Sequence, residues 1–148
     1  MIISFDLDDT LITGTKKFDT EKKSALHKIL GLEALRIGTI DLIKSLQSKG
    51  HKVYIYTTSF RSTTKIWWTF FLYGIKLDGI INQRIHERTL KEKAKGHSKY
   101  PPIFSIDIHV DDSKGVEMEG LLYNFKTIIV AEADSAWTSH ILTNIGVE

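Results

Sequence analysis

The chain begins with an apolar run, Met1-Ile2-Ile3, that leads straight into the acidic cluster Ser4-Phe5-Asp6-Leu7-Asp8-Asp9-Thr10-Leu11. An apolar run ending in carboxylates reads as a buried parallel strand with acids at its C-terminal tip, the edge at which open α/β sheets hold their ligands. Asp6 and Asp8 stand two apart on that strand, so they repel each other unless a cation lies between them. Hard oxygen donors of this kind suit Mg²⁺.

Beyond this strand, strand and helix signals alternate, which predicts βαβ units and a mainly parallel sheet with helices on both faces. Asp19 or Thr20 is placed to cap a helix carrying Ala25, Leu26, Ile29 and Leu30 and ending at Gly31. Thr39 caps a second helix, with Ile40, Ile43 and Leu46 on one face and Gly50 as its stop. A second strand is expected over Val53 to Tyr56. A third helix follows, whose aromatic stripe Ile66, Trp67, Phe70 and Phe71 reads as core, and then a short strand at Gly79-Ile80-Ile81. The polar, basic stretch 82–98 has room only for a small lid. A fourth strand is expected over Ile103 to Val110, ending in Asp111-Asp112, then a helix near Val116 to Tyr123, a fifth strand at Thr127 to Val130 and a last helix capped by Asp134.

The 148 residues fit a single domain spanning 1–148, enough to bury roughly two thirds of the unfolded surface. With 20 basic and 18 acidic residues the charge is +2, which argues against a dedicated nucleic-acid or membrane-surface protein. The absence of cysteine excludes disulfides, thiolate zinc sites and thiol nucleophiles. Asp6 interrupts the first apolar run before a secretory signal can form, and no segment approaches the roughly 18 apolar residues of a membrane span. The expected location is cytoplasmic.

The run Asp6-Leu7-Asp8-Asp9-Thr10 resembles the first motif, DxDxT, of the haloacid dehalogenase (HAD) superfamily of phosphatases and phosphotransferases. Three later stations follow in the family's order, each beside a predicted strand. Thr57, directly after Val53-Tyr54-Ile55-Tyr56, resembles motif II, whose hydroxyl and adjacent amide bind phosphoryl oxygens; Thr58 is the alternative one residue on. Lys99, in Ser98-Lys99-Tyr100-Pro101-Pro102, resembles the motif III lysine, with Lys91, Lys93 and Lys95 as competitors that read more simply as a solvated face. Only the eleven residues 100–110 separate it from Asp111, too few for a full helix between the two motifs. Asp111-Asp112 resembles a motif IV acidic pair. His109, just inside the strand, reads as a packed core histidine, because Mg²⁺ disfavours nitrogen.

The resemblance spans essentially the whole chain and implies a Rossmann-like, HAD-type α/β fold acting as a Mg²⁺-dependent phosphate monoester hydrolase. Asp6 would be the nucleophile that forms an aspartyl phosphate, and Asp8 the general acid/base. The metal would be held by the Asp6 carboxylate, the Asp8 backbone carbonyl and Asp111, with Asp112 a direct or water-mediated ligand. Asp8 argues against a dehalogenase, which needs no general acid. A phosphotransferase or phosphomutase shares the same apparatus. A receiver-like phospho-acceptor also gathers acids, Thr and Lys around Mg²⁺, but places its phosphorylated Asp on a middle strand. A nucleic-acid-binding module would use Arg84, Arg88, Lys91, Lys93 and Lys95, a patch diluted by Glu87 and Glu92. No full cap domain fits between the motifs, which points to a phosphorylated small molecule or a macromolecular phosphate as substrate, nucleic acid entering only in that role. A neighbouring subunit could serve as cover, so a homo-oligomer is among the expectations. Arg61, two residues beyond Ser59, is placed either to hold an anionic substrate group or to support a helix start.

Overall fold

A computed structural model describes residues 1–147, the side chains of 93–95 excepted. Five strands, β1 (Ile2–Phe5), β2 (Lys52–Tyr56), β3 (Gly79–Ile81), β4 (Ile108–Asp111) and β5 (Lys126–Ile129), form one sheet in the order β3-β2-β1-β4-β5. All pairs are parallel. This is a Rossmann-like α/β architecture, with β1 in the centre and the chain crossing from one side to the other between β3 and β4.

Alternation along the strands divides the sheet into two faces. Ile3, Phe5, Val53, Ile55, Ile108, Val110 and Ile128 pack on one face against α2 (Thr39–Ser48), α3 (Thr63–Phe71) and α6 (Trp137–Ile145) in the main core. Intervening residues face the other way, where Tyr56, Ile81 and Ile106 gather with Ile85 of α4 (Gln83–Leu90). On that second face α5 (Lys114–Tyr123) lies so close that a Cβ on Gly120 would sit 2.8 Å from the Phe125 carbonyl oxygen and 2.9 Å from Thr127 Cγ2. Among the described residues no helix is long and apolar enough to cross a membrane.

Several element boundaries differ from the sequence reading. The first helix is α1 (Ala25–Ile29), capped by Ser24 rather than by Asp19 or Thr20; Thr20 instead forms an antiparallel bridge to Arg36. With five residues α1 cannot bury an apolar stripe, so Leu26, Ile29 and Leu30 are exposed and the helix docks through His27, whose ring lies 4.1 Å from that of Tyr73. The aromatic stripe of α3 splits: Ile66 and Phe70 turn inward, while Trp67 and Phe71 stack on each other at 4.3 Å, with Phe71 and neighbouring Trp68 exposed. The stretch expected as a lid holds α4 and a 3-10 helix, Lys91–Gly96. The fourth strand starts at Ile108, not Ile103. Pro101 and Pro102 lack the N–H that a sheet ladder requires, and the chain makes a 3-10 turn there instead. Asp134 does not cap α6, which begins at Trp137 behind Ala136; its carboxylate accepts from the Ala136 amide and from His140 Nδ1.

Candidate active site

The register explains how the site assembles. Ser4 pairs with Tyr54 on one side and His109 on the other, and the residues two further along, Asp6, Tyr56 and Asp111, emerge together at the C-terminal edge on the second face. The Asp6 amide continues the ladder by donating to Val110 O at 2.8 Å. Asp6 and Asp111 are both buried.

Lys99 reaches these acids from below. Its Nζ donates to Asp6 Oδ1 at 2.5 Å and to Tyr56 O at 2.9 Å, and lies 3.6 Å from Asp111 Oδ2. Only 2% of Lys99 is exposed, so its ammonium is a structural and electrostatic part of the floor. Four hydrogen bonds fix the segment around it. Glu119 of α5 accepts from the amides of Ser98 and Lys99 and from Ser98 Oγ, and the Tyr100 amide donates to the Tyr56 hydroxyl at 2.9 Å. That hydroxyl in turn contacts His86 Nδ1 of α4 at 2.5 Å. The motif III expectation at Lys99 thus corresponds to the lysine that touches the acids. Lys91 lies at the C-cap of α4, and the side chains of Lys93 and Lys95 lie outside the described residues.

Behind Asp111 a buried chain of hydrogen bonds sets its orientation. His109 Nε2 is 3.0 Å from Asp111 Oδ2 and His109 Nδ1 is 2.7 Å from Ser4 Oγ. Burial pushes His109 down to about 4, so the ring is neutral at physiological pH. A carboxylate only accepts, which places the single imidazole proton on Nε2 and makes Ser4 the donor to Nδ1. The histidine is the buried core residue that its sequence position suggested, and it also fixes a site carboxylate. Burial works to raise Asp111, yet the His109 hydrogen bond and the Lys99 charge hold it below its ordinary value, and the Ser113 amide donates to its Oδ1 at 2.9 Å.

Asp112 has different partners. Its Oδ2 pairs with Lys16 Nζ at 2.6 Å and its Oδ1 accepts from the Thr10 hydroxyl at 3.2 Å. Lys16 is carried there by a loop that Asp9 organises. Asp9 has a positive φ of 62°, and its carboxylate accepts from the amides of Gly14 and Lys16 and from the Thr15 hydroxyl. A Cβ on residue 14 would come within 2.8 Å of Asp9 Oδ1, so any larger residue there would push the Asp9 carboxylate aside. Asp9 is therefore structural.

Thr57 is buried at the tip of β2, its amide committed to Ile81 O and its Oγ1 accepting from the Ser59 amide at 3.1 Å, whereas Thr58 is exposed. Asp8 lies at the opening, its side chain 40% exposed. Arg61 turns towards it: Nη1 donates to Asp8 Oδ2 at 2.9 Å, while Nε and Nη2 reach Glu33 Oε1 at 3.1 and 3.0 Å. Sequence reasoning had not singled out Ser4, Lys16, Glu33, Tyr56 or Glu119. Of these only Ser4 and Tyr56 carried a signal, since they share the strand alternation that puts Asp6 on the second face.

Asp6, Asp111 and Asp112 each offer a carboxylate oxygen, all within 4.8 Å of one another. Two buried carboxylates, Asp6 and Asp111, share a single buried ammonium, so the floor is one positive charge short. Burial, reinforced by Asp111 and opposed by Lys99, pushes Asp6 up to about 7. An all-oxygen donor set deficient in positive charge fits a hard divalent cation such as Mg²⁺, with the one nearby imidazole turned to Asp111 and not into the cluster.

No family model matches this chain, and no curated protein matches it either. The HAD resemblance accordingly rests on the sequence motifs alone.

Proposed function

We propose that this protein hydrolyses a phosphate monoester with Mg²⁺, through an aspartyl phosphate on Asp6. The observation that carries the reading is the contact of Lys99 Nζ with Asp6 Oδ1 at 2.5 Å, in a buried floor that also holds Asp111, with the exposed carboxylate of Asp8 two residues along the same strand edge. An Asp6 oxygen attacks phosphorus and the P–O ester bond breaks, splitting one hard displacement into two easier ones. Asp8 gives its proton to the departing alkoxide. It then takes a proton from the water that attacks the phosphoryl-aspartate, releasing phosphate and restoring the Asp6 carboxylate. Lys99 neutralises charge at Asp6 throughout, and the Thr57 hydroxyl is a neutral donor for a phosphoryl oxygen. Mg²⁺, held by Asp6, Asp111 and the Asp8 carbonyl, would supply the missing positive charge and polarise the phosphoryl group.

The deciding experiment is a screen of phosphorylated metabolites, phosphopeptides and phosphorylated nucleic-acid ends with Mg²⁺, with EDTA and with the Asp6→Asn protein as controls. Phosphate release from none of them in Mg²⁺ refutes the proposal. A phosphotransferase differs only in the second half-reaction, and is recognised by turnover that needs an added alcohol acceptor.

Two further outcomes follow from the geometry. Asp8→Asn should slow turnover roughly 10²- to 10⁴-fold for alkyl phosphates and much less for aryl phosphates with good leaving groups, with the Mg²⁺ requirement little changed. An equal loss for both substrate types in the first chemical step removes Asp8 as the acid. Asp111→Ala should raise the Mg²⁺ concentration for half-maximal activity by roughly 10- to 100-fold. Asp112→Ala should raise it less, since Lys16 and Thr10 already occupy that carboxylate. Isothermal titration with Mg²⁺ reads both, and an Asp111→Ala protein with wild-type affinity eliminates the site.

A further inference from the structure

We infer that Arg61 and Glu33 form a positioning pair that holds the Asp8 carboxylate at the mouth of the site, so that Arg61 acts on the reaction through Asp8 and does not bind substrate. The inference rests on the hydrolase reading above. A general acid has to be held within hydrogen-bond reach of the leaving oxygen, and an exposed Asp on a short side chain needs something to hold it there. Among the described residues the Asp8 carboxylate has one hydrogen-bond partner, the Arg61 guanidinium.

Arg61 is built to be immobile. Its amide donates to Ser59 Oγ at 3.1 Å, and its carbonyl accepts from Asn82 Nδ2 at 2.9 Å. Asn82 is itself buried and caps α4 through the Ile85 amide. The segment is thus pinned between the end of β2 and the start of α4. At the other end of the side chain, Nη1 is shared between Asp8 Oδ2 at 2.9 Å and Ser59 Oγ at 2.8 Å, and the Nε and Nη2 edge is taken by Glu33 Oε1. Glu33 comes from the stretch before α2, where buried Leu32 and Leu35 flank it and fix its backbone.

Charge and donor count both argue against a substrate-binding arginine. Of the five N–H donors of a guanidinium, three make hydrogen bonds to Asp8, Ser59 and Glu33, Nη2 also lies 3.0 Å from Glu33 Oε1, and two carboxylates already face its single charge. Glu33 alone already balances the guanidinium charge, so an anionic substrate group arriving there meets no uncompensated positive charge. A guanidinium also cannot give up its proton, so Arg61 is not an alternative acid. Holding Asp8 through Oδ2 leaves Oδ1 to carry the proton that passes to the leaving alkoxide, and later to receive the one from water.

The test compares Arg61→Met, Arg61→Lys and Glu33→Gln on an alkyl phosphate and on an aryl phosphate with a good leaving group, in saturating Mg²⁺, with thermal melts to confirm folding. Arg61→Met should lower kcat at least roughly tenfold on the alkyl phosphate and less than about threefold on the aryl one. KM and the inhibition constant of inorganic phosphate should stay within about twofold. Glu33→Gln should lose in the same pattern by a smaller factor, and Arg61→Lys should recover only part of the loss, because a lysine cannot bridge both carboxylates with a planar fork. In the Asp8→Asn background Arg61→Met should have no further effect, since the group it positions is gone. The inference is overturned if Arg61→Met raises KM about tenfold with kcat preserved, if both substrates lose equally, or if the two substitutions multiply. A wild-type protein that releases phosphate from neither substrate defeats the hydrolase reading itself, and the inference with it; normal wild-type turnover beside an unaffected Arg61→Met defeats the inference alone.

Discussion

Asp6→Asn should abolish phosphate release while making the metal-free protein more stable at pH 8 than the wild type. The loss of activity follows from the nucleophile: an amide oxygen at this position cannot carry the phosphoryl group through a hydrolysable acyl phosphate, so the residual rate should fall to background. The gain in stability follows from the charge count. With Asn at position 6, Lys99 faces one buried carboxylate, Asp111, in place of two. The pH dependence identifies the cause. The Asp6 carboxyl titrates at about 7 in the folded protein against an ordinary value of 3.8, so its protonation stabilises the fold fully below pH ~3.8, and that contribution is lost as the pH rises through 7. Melting in EDTA should therefore show the Asp6→Asn advantage opening between pH 4 and 7 and levelling above pH 8, worth on the order of a few kcal/mol at most. Mg²⁺ should stabilise the wild type and narrow the gap. Wild-type turnover by Asp6→Asn disproves the aspartyl-phosphate route. An advantage that is independent of pH shows that Asp6 is not the group held out of its ordinary range.

Lys99→Met should do the opposite to the fold and nearly as much damage to activity. The substitution keeps an unbranched side chain in the same buried channel but removes the ammonium 2.5 Å from Asp6 Oδ1 and 3.6 Å from Asp111 Oδ2. Two buried carboxylates are then left without a protein cation, and the Tyr56 carbonyl without its donor. Removing one partner of a buried ion pair costs about 3–5 kcal/mol, because the surviving charge stays desolvated. In urea at pH 8 without metal the variant should unfold at clearly lower denaturant, or fail to fold, and adding Asp6→Asn should recover most of the loss by removing one of the orphaned charges. Turnover should fall by roughly 10²- to 10³-fold even in saturating Mg²⁺, since the charge that develops around Asp6 has lost a preorganised donor. A Lys99→Met protein with wild-type stability shows that the ammonium is not the counter-charge of the floor. Full turnover shows that it plays no part in phosphoryl transfer.

The division between what is legible along the chain and what is not follows the range of the forces involved. Local chemistry carried the elements: an apolar run ending in acids marks β1 and its tip, alternating strand and helix signals mark the parallel α/β sheet, and Val110-Asp111-Asp112 marks the tip of β4. Asp6 and Asp111, named from the chain alone, meet because parallel register aligns the ends of neighbouring strands, a consequence of backbone pairing that any sequence of this pattern shares, whereas Lys99, also named from the chain, reaches them from a segment held by Glu119 and the Tyr56 hydroxyl. Boundaries were less legible. Proline at 101 and 102 shortens the expected fourth strand, and five-residue α1 exposes Leu26, Ile29 and Leu30, because tertiary packing and not hydrophobic period decides which side of a short helix meets the core. What the sequence could not contain is the pairing of charges from distant segments. Lys16 with Asp112 lie 96 residues apart, and Ser4 with His109, 105. Arg61 joins Asp8, 53 positions before it, to Glu33, 28 before it. Strand register sets the Ser4–His109 contact and the crossing of loops at the C-terminal edge of the sheet sets the others, so the roles expected of Asp6 and Asp8 come from the sequence resemblance, while only the tertiary structure decided that Asp112 is shared with a lysine, that His109 orients Asp111, and that Arg61 turns its charge on Asp8.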